Sequence, residues 1–267
     1  MIKSVPILAL LLSYPAASAE QPVFKLGLPD FGYVAISLGL QNLAQIRYHD
    51  MPPATPDMLD RQDLSRIDRW AAGNYSKDAA VISDILIVSG VVAPMAITTL
   101  ESLHSGAGLN PVFTEAVIFS EALAISSSLN LLVRSLRIHP RPLVYGSDAP
   151  EDEKRKGEAS GSFYSGHANG AFLAATYLAY TYPLRHPEFQ HKEWLWAGSL
   201  GAAAAVAGLR VAAGKHFTSD VVVGAAAGAF FGWAFPRMHL TGASERRAQL
   251  RLLPIHEGIH PVLVVRF

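Results

Sequence analysis

Residues 194–235 read WLWAGSLGAAAAVAGLRVAAGKHFTSDVVVGAAAGAFFGWAF. Two apolar runs, Trp194–Ala213 and Val221–Phe235, flank a short elbow that carries His216 and Asp220, with Arg210 just before it. Each run is close to the roughly 17–25 residues needed to cross a bilayer core. Ala, Gly and Ser dominate both, and small side chains let helices approach closely in lipid or in water. The stretch therefore predicts two packed helices whose junction holds the polar chemistry. Working back along the chain, Ala168–Leu184, Val112–Val133 and Ala79–Leu100 repeat the apolar length, with Asp84, Glu115 and Glu121 interrupting the two earliest runs. The expected fold is an all-α helical bundle, membrane-embedded, with its active site at the helix ends. A soluble bundle with small-residue seams is the alternative.

The ends differ in character. Lys3, the apolar run Val5–Leu12 and Ala17-Ser18-Ala19 are laid out like a secretory signal peptide, so the mature chain is expected to begin near Glu20. Phe31–Ile46 carries Gln41, Asn42 and Gln45 and makes a poor span. Pro52, Pro53 and Pro56 mark a loop, followed by a short amphipathic helix expected over Leu64–Trp70. The charged loop Asp148–Glu158 reads as solvated surface or a site wall. Leu250–Ile255 and Pro261–Phe267, flanking His256-Glu257-Gly258, predict a β-hairpin. The division expected is a signal peptide at 1–19, a periplasmic or interfacial segment at 20–78, the helical domain at 79–236 and a tail at 237–267. With the signal removed and five spans, the loops after the second and fourth face the periplasm. Arg185, Lys192, Arg237, Arg246, Arg247 and Arg251 then fall on the cytoplasmic side.

Only 16% of the 267 residues are charged, against about 25% in an average soluble domain. Lys plus Arg and Asp plus Glu each number 22, so nothing in the balance points to a nucleic-acid partner. The absence of cysteine excludes a thiol nucleophile, a disulfide framework and a thiolate metal site.

Three short stretches carry the chemistry: Arg134-x6-Arg141-Pro142, Tyr164-Ser165-Gly166-His167 and Arg210-x5-His216-x3-Asp220. Each alone has a bland reading, as a helix-end cation, an N-cap or an i,i+4 surface pair. Together they compose a phosphate site. Arg134, Arg141 and Arg210 can grip non-bridging oxygens with forked, charge-assisted bonds. Ser165 and the amides of Gly166 and His167 form a helix N-terminus suited to an anion. His216 offers an imidazole nitrogen for in-line attack, Asp220 can orient the ring, and His167 can protonate the departing oxygen. The arginines neutralise charge that a metal would otherwise neutralise, so neither metal nor cofactor is expected.

These motifs resemble those of the type 2 phosphatidic acid phosphatase superfamily, which also holds bacterial class A acid phosphatases and vanadium haloperoxidases. The resemblance runs over roughly Ala79–Phe235 and keeps every internal spacing of the family's signature. It implies an all-α bundle and a phosphohistidine at His216. It also implies a phosphorylated lipid as substrate at an inner-membrane site facing the periplasm. The alternatives are a soluble periplasmic phosphatase of small esters, a vanadium-dependent haloperoxidase, or a non-catalytic protein that binds phosphate headgroups. Arg134 stands where the family has lysine, Tyr164 where it has proline and Leu209 where it has serine. Other histidines are read blandly: His139 as a loop residue, His256 and His260 as a pair too sparse for a metal.

Overall fold

The computed structural model describes residues 23–241, 249–255 and 258–264. The expected signal peptide, His256 and the arginines at 246 and 247 lie outside them. Six long helices build the bundle: α1 (Leu28–His49), α2 (Lys77–Ser105), α3 (Asn110–Arg134), α5 (Gly166–Arg185), α6 (Lys192–Ala212) and α7 (Thr218–Met238), with a single turn, α4 (Glu151–Lys154), in the loop before α5. Two antiparallel strands, β1 (Gln249–Ile255) and β2 (Gly258–Val264), pair from Gln249↔Val264 to Ile255↔Gly258. The hairpin thus forms, shifted towards the N-terminus in its second strand. The amphipathic helix expected at Leu64–Trp70 is instead a run of turns ending in the 3-10 turn Arg69–Ala71. Asp68 explains the difference: its carboxylate accepts from Ser65 Oγ at 2.6 Å and from Ser219 N at 2.9 Å, tying this segment to the start of α7.

α5 is the central helix, flanked by α2, α3, α6 and α7. Its buried residues run almost without interruption from Ala168 to Tyr182. The closest seam is with α7, where Gly224, Gly228 and Gly232 recur every fourth residue against the α5 backbone. A Cβ on any of them would collide with the carbonyl of Ser165, Asn169 or Leu173. This is the structural use of the small residues noted in the sequence: without side chains between them, two backbones pack directly.

Among the described residues, four helices, α2, α3, α6 and α7, are long and apolar enough to cross a membrane. α2 has the highest mean hydropathy, 2.2, yet Val81, Ile82, Ile85, Val88 and Val92 all point away from the protein. An aqueous surface of that composition is strongly unfavourable, whereas lipid tails solvate it. α5, the fifth apolar run of the sequence, turns its apolar side chains to protein instead.

Contrary to its poor apolar pattern, Phe31–Ile46 forms a full-length helix, α1, laid against α3. Gln41 faces that partner, accepting from the Ser128 hydroxyl at 3.0 Å, whereas Asn42 and Gln45 are exposed. Phe31, Ile36, Leu38 and Ile46 are exposed on the other side.

Candidate active site

Successive long helices alternate in direction, so the end of α3, the start of α5, the end of α6 and the start of α7 meet at one end of the bundle. There they enclose a cavity of about 430 Å³ lined by Arg134, Arg141, Gly166, His167, Arg210 and His216, together with residues from α2 and the α3–α5 loop. Two predicted site residues lie behind the wall. Ser165 is fully buried, its Oγ accepting from Ala168 N at 3.3 Å as the N-cap of α5. Asp220 is fully buried beneath His216.

The three arginines are 9%, 5% and 6% exposed, unusual for guanidiniums. Each is held from one side only. Arg134 donates to the Tyr48 hydroxyl at 2.8 Å and stacks over its ring. Arg141 pairs with Glu158 at 3.3 Å, and Arg210 donates to Ser83 Oγ at 3.1 Å and Asp84 Oδ1 at 3.0 Å. Among the described residues, none of the three Nε groups has a hydrogen-bond partner. Three guanidinium cations lining one cavity make an anion site, because an oxyanion there supplies negative charge and hydrogen-bond acceptors. The Gly166 and His167 amides add donors of the kind every helix start leaves over. A side chain at Gly166 would strike Asn130 Oδ1.

His216 is 2% exposed and sits in the elbow between α6 and α7. Its Nδ1 lies 2.9 Å from the Ser162 carbonyl oxygen, whereas Asp220 Oδ2 is 3.7 Å away. A carbonyl only accepts, so Nδ1 carries the proton and Nε2 keeps its lone pair. The ring is thus oriented directly by Ser162, with the Asp220 carboxylate as the charge behind it. Asp220 is fixed in turn by Phe217 N at 2.8 Å and by the Ser162 hydroxyl. Burial, with Arg134 and Arg141 nearby, pulls the His216 pKa down to about 3 against the opposing pull of Asp220. The nucleophile candidate is therefore neutral throughout ordinary pH.

Several participants were legible in the sequence only in outline, Glu158 as the end of a solvated or site-wall loop and Asp84 as a break in an apolar run. His139, read as a loop residue, places Nε2 3.3 Å from Asp220 Oδ1. Burial there favours the neutral ring, but Asp220 outweighs it and raises the His139 pKa. Asp84 on α2 lies 2.7 Å from His167 Nε2 and so links that ring to Arg210. Glu158 spans two arginines: it pairs with Arg141 and accepts at 3.0 Å from the Tyr48 hydroxyl, which also holds Arg134. Burial opposes its charge, yet Arg141, Tyr48 and Arg134 hold its pKa below the usual range. Ser126, Asn130 and Arg134 form one polar stripe of α3 at four-residue spacing. Asn130 donates to the Tyr164 carbonyl at 2.7 Å, anchoring the residue that replaces the family's proline. That stripe was available in the sequence as an i,i+4 pattern; Ser162 and Tyr48 had no such signal.

The sequence model of the PAP2 superfamily matches residues 115–243. The match begins within α3, later than the Ala79 expected from the motifs, and leaves α2 outside. Among solved structures, the transmembrane PAP2-type phosphatidylglycerolphosphate phosphatase from Bacillus subtilis is similar at 18% identity and a TM-score of 0.47, covering 76% of this chain and 94% of that one. No match is found among curated proteins.

Proposed function

We propose that the chain, residues 115–243 of which match the PAP2 superfamily, is a hydrolase of phosphoric esters that removes phosphate from a phosphorylated lipid, without a catalytic metal, through a phosphohistidine at His216. The observation that carries this reading is the convergence of three buried guanidiniums and the neutral His216 ring on one cavity. Beside that cavity runs α2, whose apolar outer face gives an acyl chain a place to lie.

In this reading Arg134, Arg141, Arg210 and the Gly166 and His167 amides hold the phosphoryl oxygens. His216 Nε2 attacks phosphorus, the bond to the lipid oxygen breaks, and His167 gives that oxygen a proton. Burial and Arg210 hold the His167 pKa at about 4, and the negative charge of the bound phosphate, with Asp84, raises it enough for the ring to enter the step protonated. Water, losing a proton to His167, then attacks phosphorus; the P–N bond breaks and His216 returns neutral. Asp84 positions His167, and Ser165 acts by capping α5 rather than by touching substrate. The site end faces the periplasm.

The test is phosphate release from phosphatidate, a polyprenyl diphosphate and p-nitrophenyl phosphate by the purified chain and by His216→Ala, with chelator added at assay. Release that survives chelation, falls by about 10³-fold or more in the variant and favours a lipid supports the proposal. Equal release by the variant overturns the histidine mechanism. Preference for the soluble ester overturns the lipid assignment.

A further inference from the structure

At the opposite end of the bundle a second polar cluster is buried among α1, α3 and α7. It consists of Asp30 in the first turn of α1, Glu121 in the middle of α3 and His239 just past α7, which are 7%, 2% and 6% exposed. Glu121 lies thirteen residues before Arg134 on α3, about 20 Å along the helix, so this cluster is separate from the phosphate site. His239 Nε2 is 2.9 Å from Asp30 Oδ1 and 3.6 Å from Glu121 Oε2.

The proton inventory decides what this cluster needs. His239 Nδ1 lies 2.8 Å from the Phe235 carbonyl oxygen, which can only accept. Nδ1 therefore carries a proton, and in a neutral ring Nε2 presents a bare lone pair to two carboxylates. Asp30 Oδ2 is already held by Gly27 N. Among the described residues, both oxygens of Glu121 are buried without any hydrogen-bond partner. A neutral ring leaves two carboxylates and a lone pair with no donor between them; an imidazolium, donating to Asp30 at 2.9 Å, still leaves one of the two negative charges uncancelled, and both arrangements are costly in a low-dielectric interior.

We propose that Asp30, Glu121 and His239 bind a divalent transition-metal ion, Zn²⁺ or Mn²⁺, which cross-links α1, α3 and α7. A dication cancels the two carboxylate charges. The donor set, one imidazole and two carboxylates, is one that such ions accept. Ligand atoms about 2.0–2.1 Å from a tetrahedral centre stand about 3.3 Å apart, and the separations of 2.9 and 3.6 Å from His239 Nε2 bracket that value. The bond from Nδ1 to a backbone carbonyl is the support that fixes a metal-binding histidine in the right tautomer.

The experiment uses the full chain in detergent, exposed separately to Zn²⁺ and Mn²⁺, dialysed, and assayed for metal by mass spectrometry beside Glu121→Gln, His239→Gln and His216→Ala. The expected result is close to one ion per chain in the wild type and in His216→Ala, and less than a tenth of that in the other two. Should those two fail to fold, the wild type alone decides: saturating metal should raise Tm by about 5–10 °C over the chelated chain. Retention by Glu121→Gln equal to wild type overturns the proposal. So does a wild type that keeps neither ion and melts identically with metal and with chelator, which would leave protons alone to neutralise the cluster. Neither readout depends on phosphatase activity.

Discussion

Two imidazoles face the Asp220 carboxylate and are pushed in opposite directions. His216 is sealed in and neutral, with its pKa drawn down to about 3, whereas the half-exposed His139 is raised by the same carboxylate. The sign of the consequence differs for each. An unfolded His216 takes up a proton near pH 6.5 that the folded ring refuses, so its burial costs stability as pH falls below about 6.5, roughly 2 kcal/mol by pH 5. His139 gains stability below about 6.5 and loses it as pH rises through its elevated folded value. Nitrogen-resolved NMR of the imidazoles should therefore find His216 as the neutral Nδ1–H form from pH 7 down to pH 4, while His139 is protonated above 6.5. A His216 imidazolium signal at pH 5.5 would contradict the neutral, lone-pair-bearing nucleophile on which the mechanism rests.

The α5–α7 seam is where helix packing positions the chemistry. Ser165 N donates to the Asp220 carbonyl at 3.0 Å, so the start of α5, with its phosphate-facing amides, is registered directly on the start of α7. Glycines at 224, 228 and 232 permit that approach. Gly228→Ala should lower stability by about 1–3 kcal/mol through overpacking. Gly201→Ala, at a helical position where an added Cβ meets nothing within 4 Å, should be neutral or stabilise by up to about 1 kcal/mol. Thermal unfolding of the pair checks this, and equal Tm values would deny the seam its role. The glycine spacing was visible in the sequence, as were the three motifs, because local spacing survives in one dimension. What the sequence hid was partnership across long separations: Tyr48 with Arg134, Asp84 with His167, Ser162 with His216. Arg185 shows the same limit. Its charge reads as part of the loop after Leu184, whereas it is the last residue of α5 and is buried against Glu115 at 2.7 Å and Glu101 at 3.1 Å.

How the whole molecule sits in a membrane turns on α1. Its start is fastened to the end of α7, through the Phe24–Leu240 bridge and the Asp30–His239 contact, and its end reaches the phosphate site through Tyr48. Twenty-two residues of helix run about 33 Å, the thickness of a bilayer core, so the beginning of α1 and the phosphate site lie on opposite faces of the bundle. Cleavage near Glu20 would release the new N-terminus on the side to which export delivers it, the same side as a periplasmic site. The position of α1 places residue 25 on the other. The chain has no cysteine, so single cysteines report sides without background. Ser147→Cys at the site end should react with an impermeant maleimide in intact spheroplasts, while Lys25→Cys and Glu188→Cys, both at the far end and exposed, should react only after permeabilisation. Equal labelling of Lys25→Cys and Ser147→Cys in intact spheroplasts would mean that α1 does not cross with the others. Ser147→Cys protected and Glu188→Cys labelled would invert the molecule and remove the periplasmic assignment of the site.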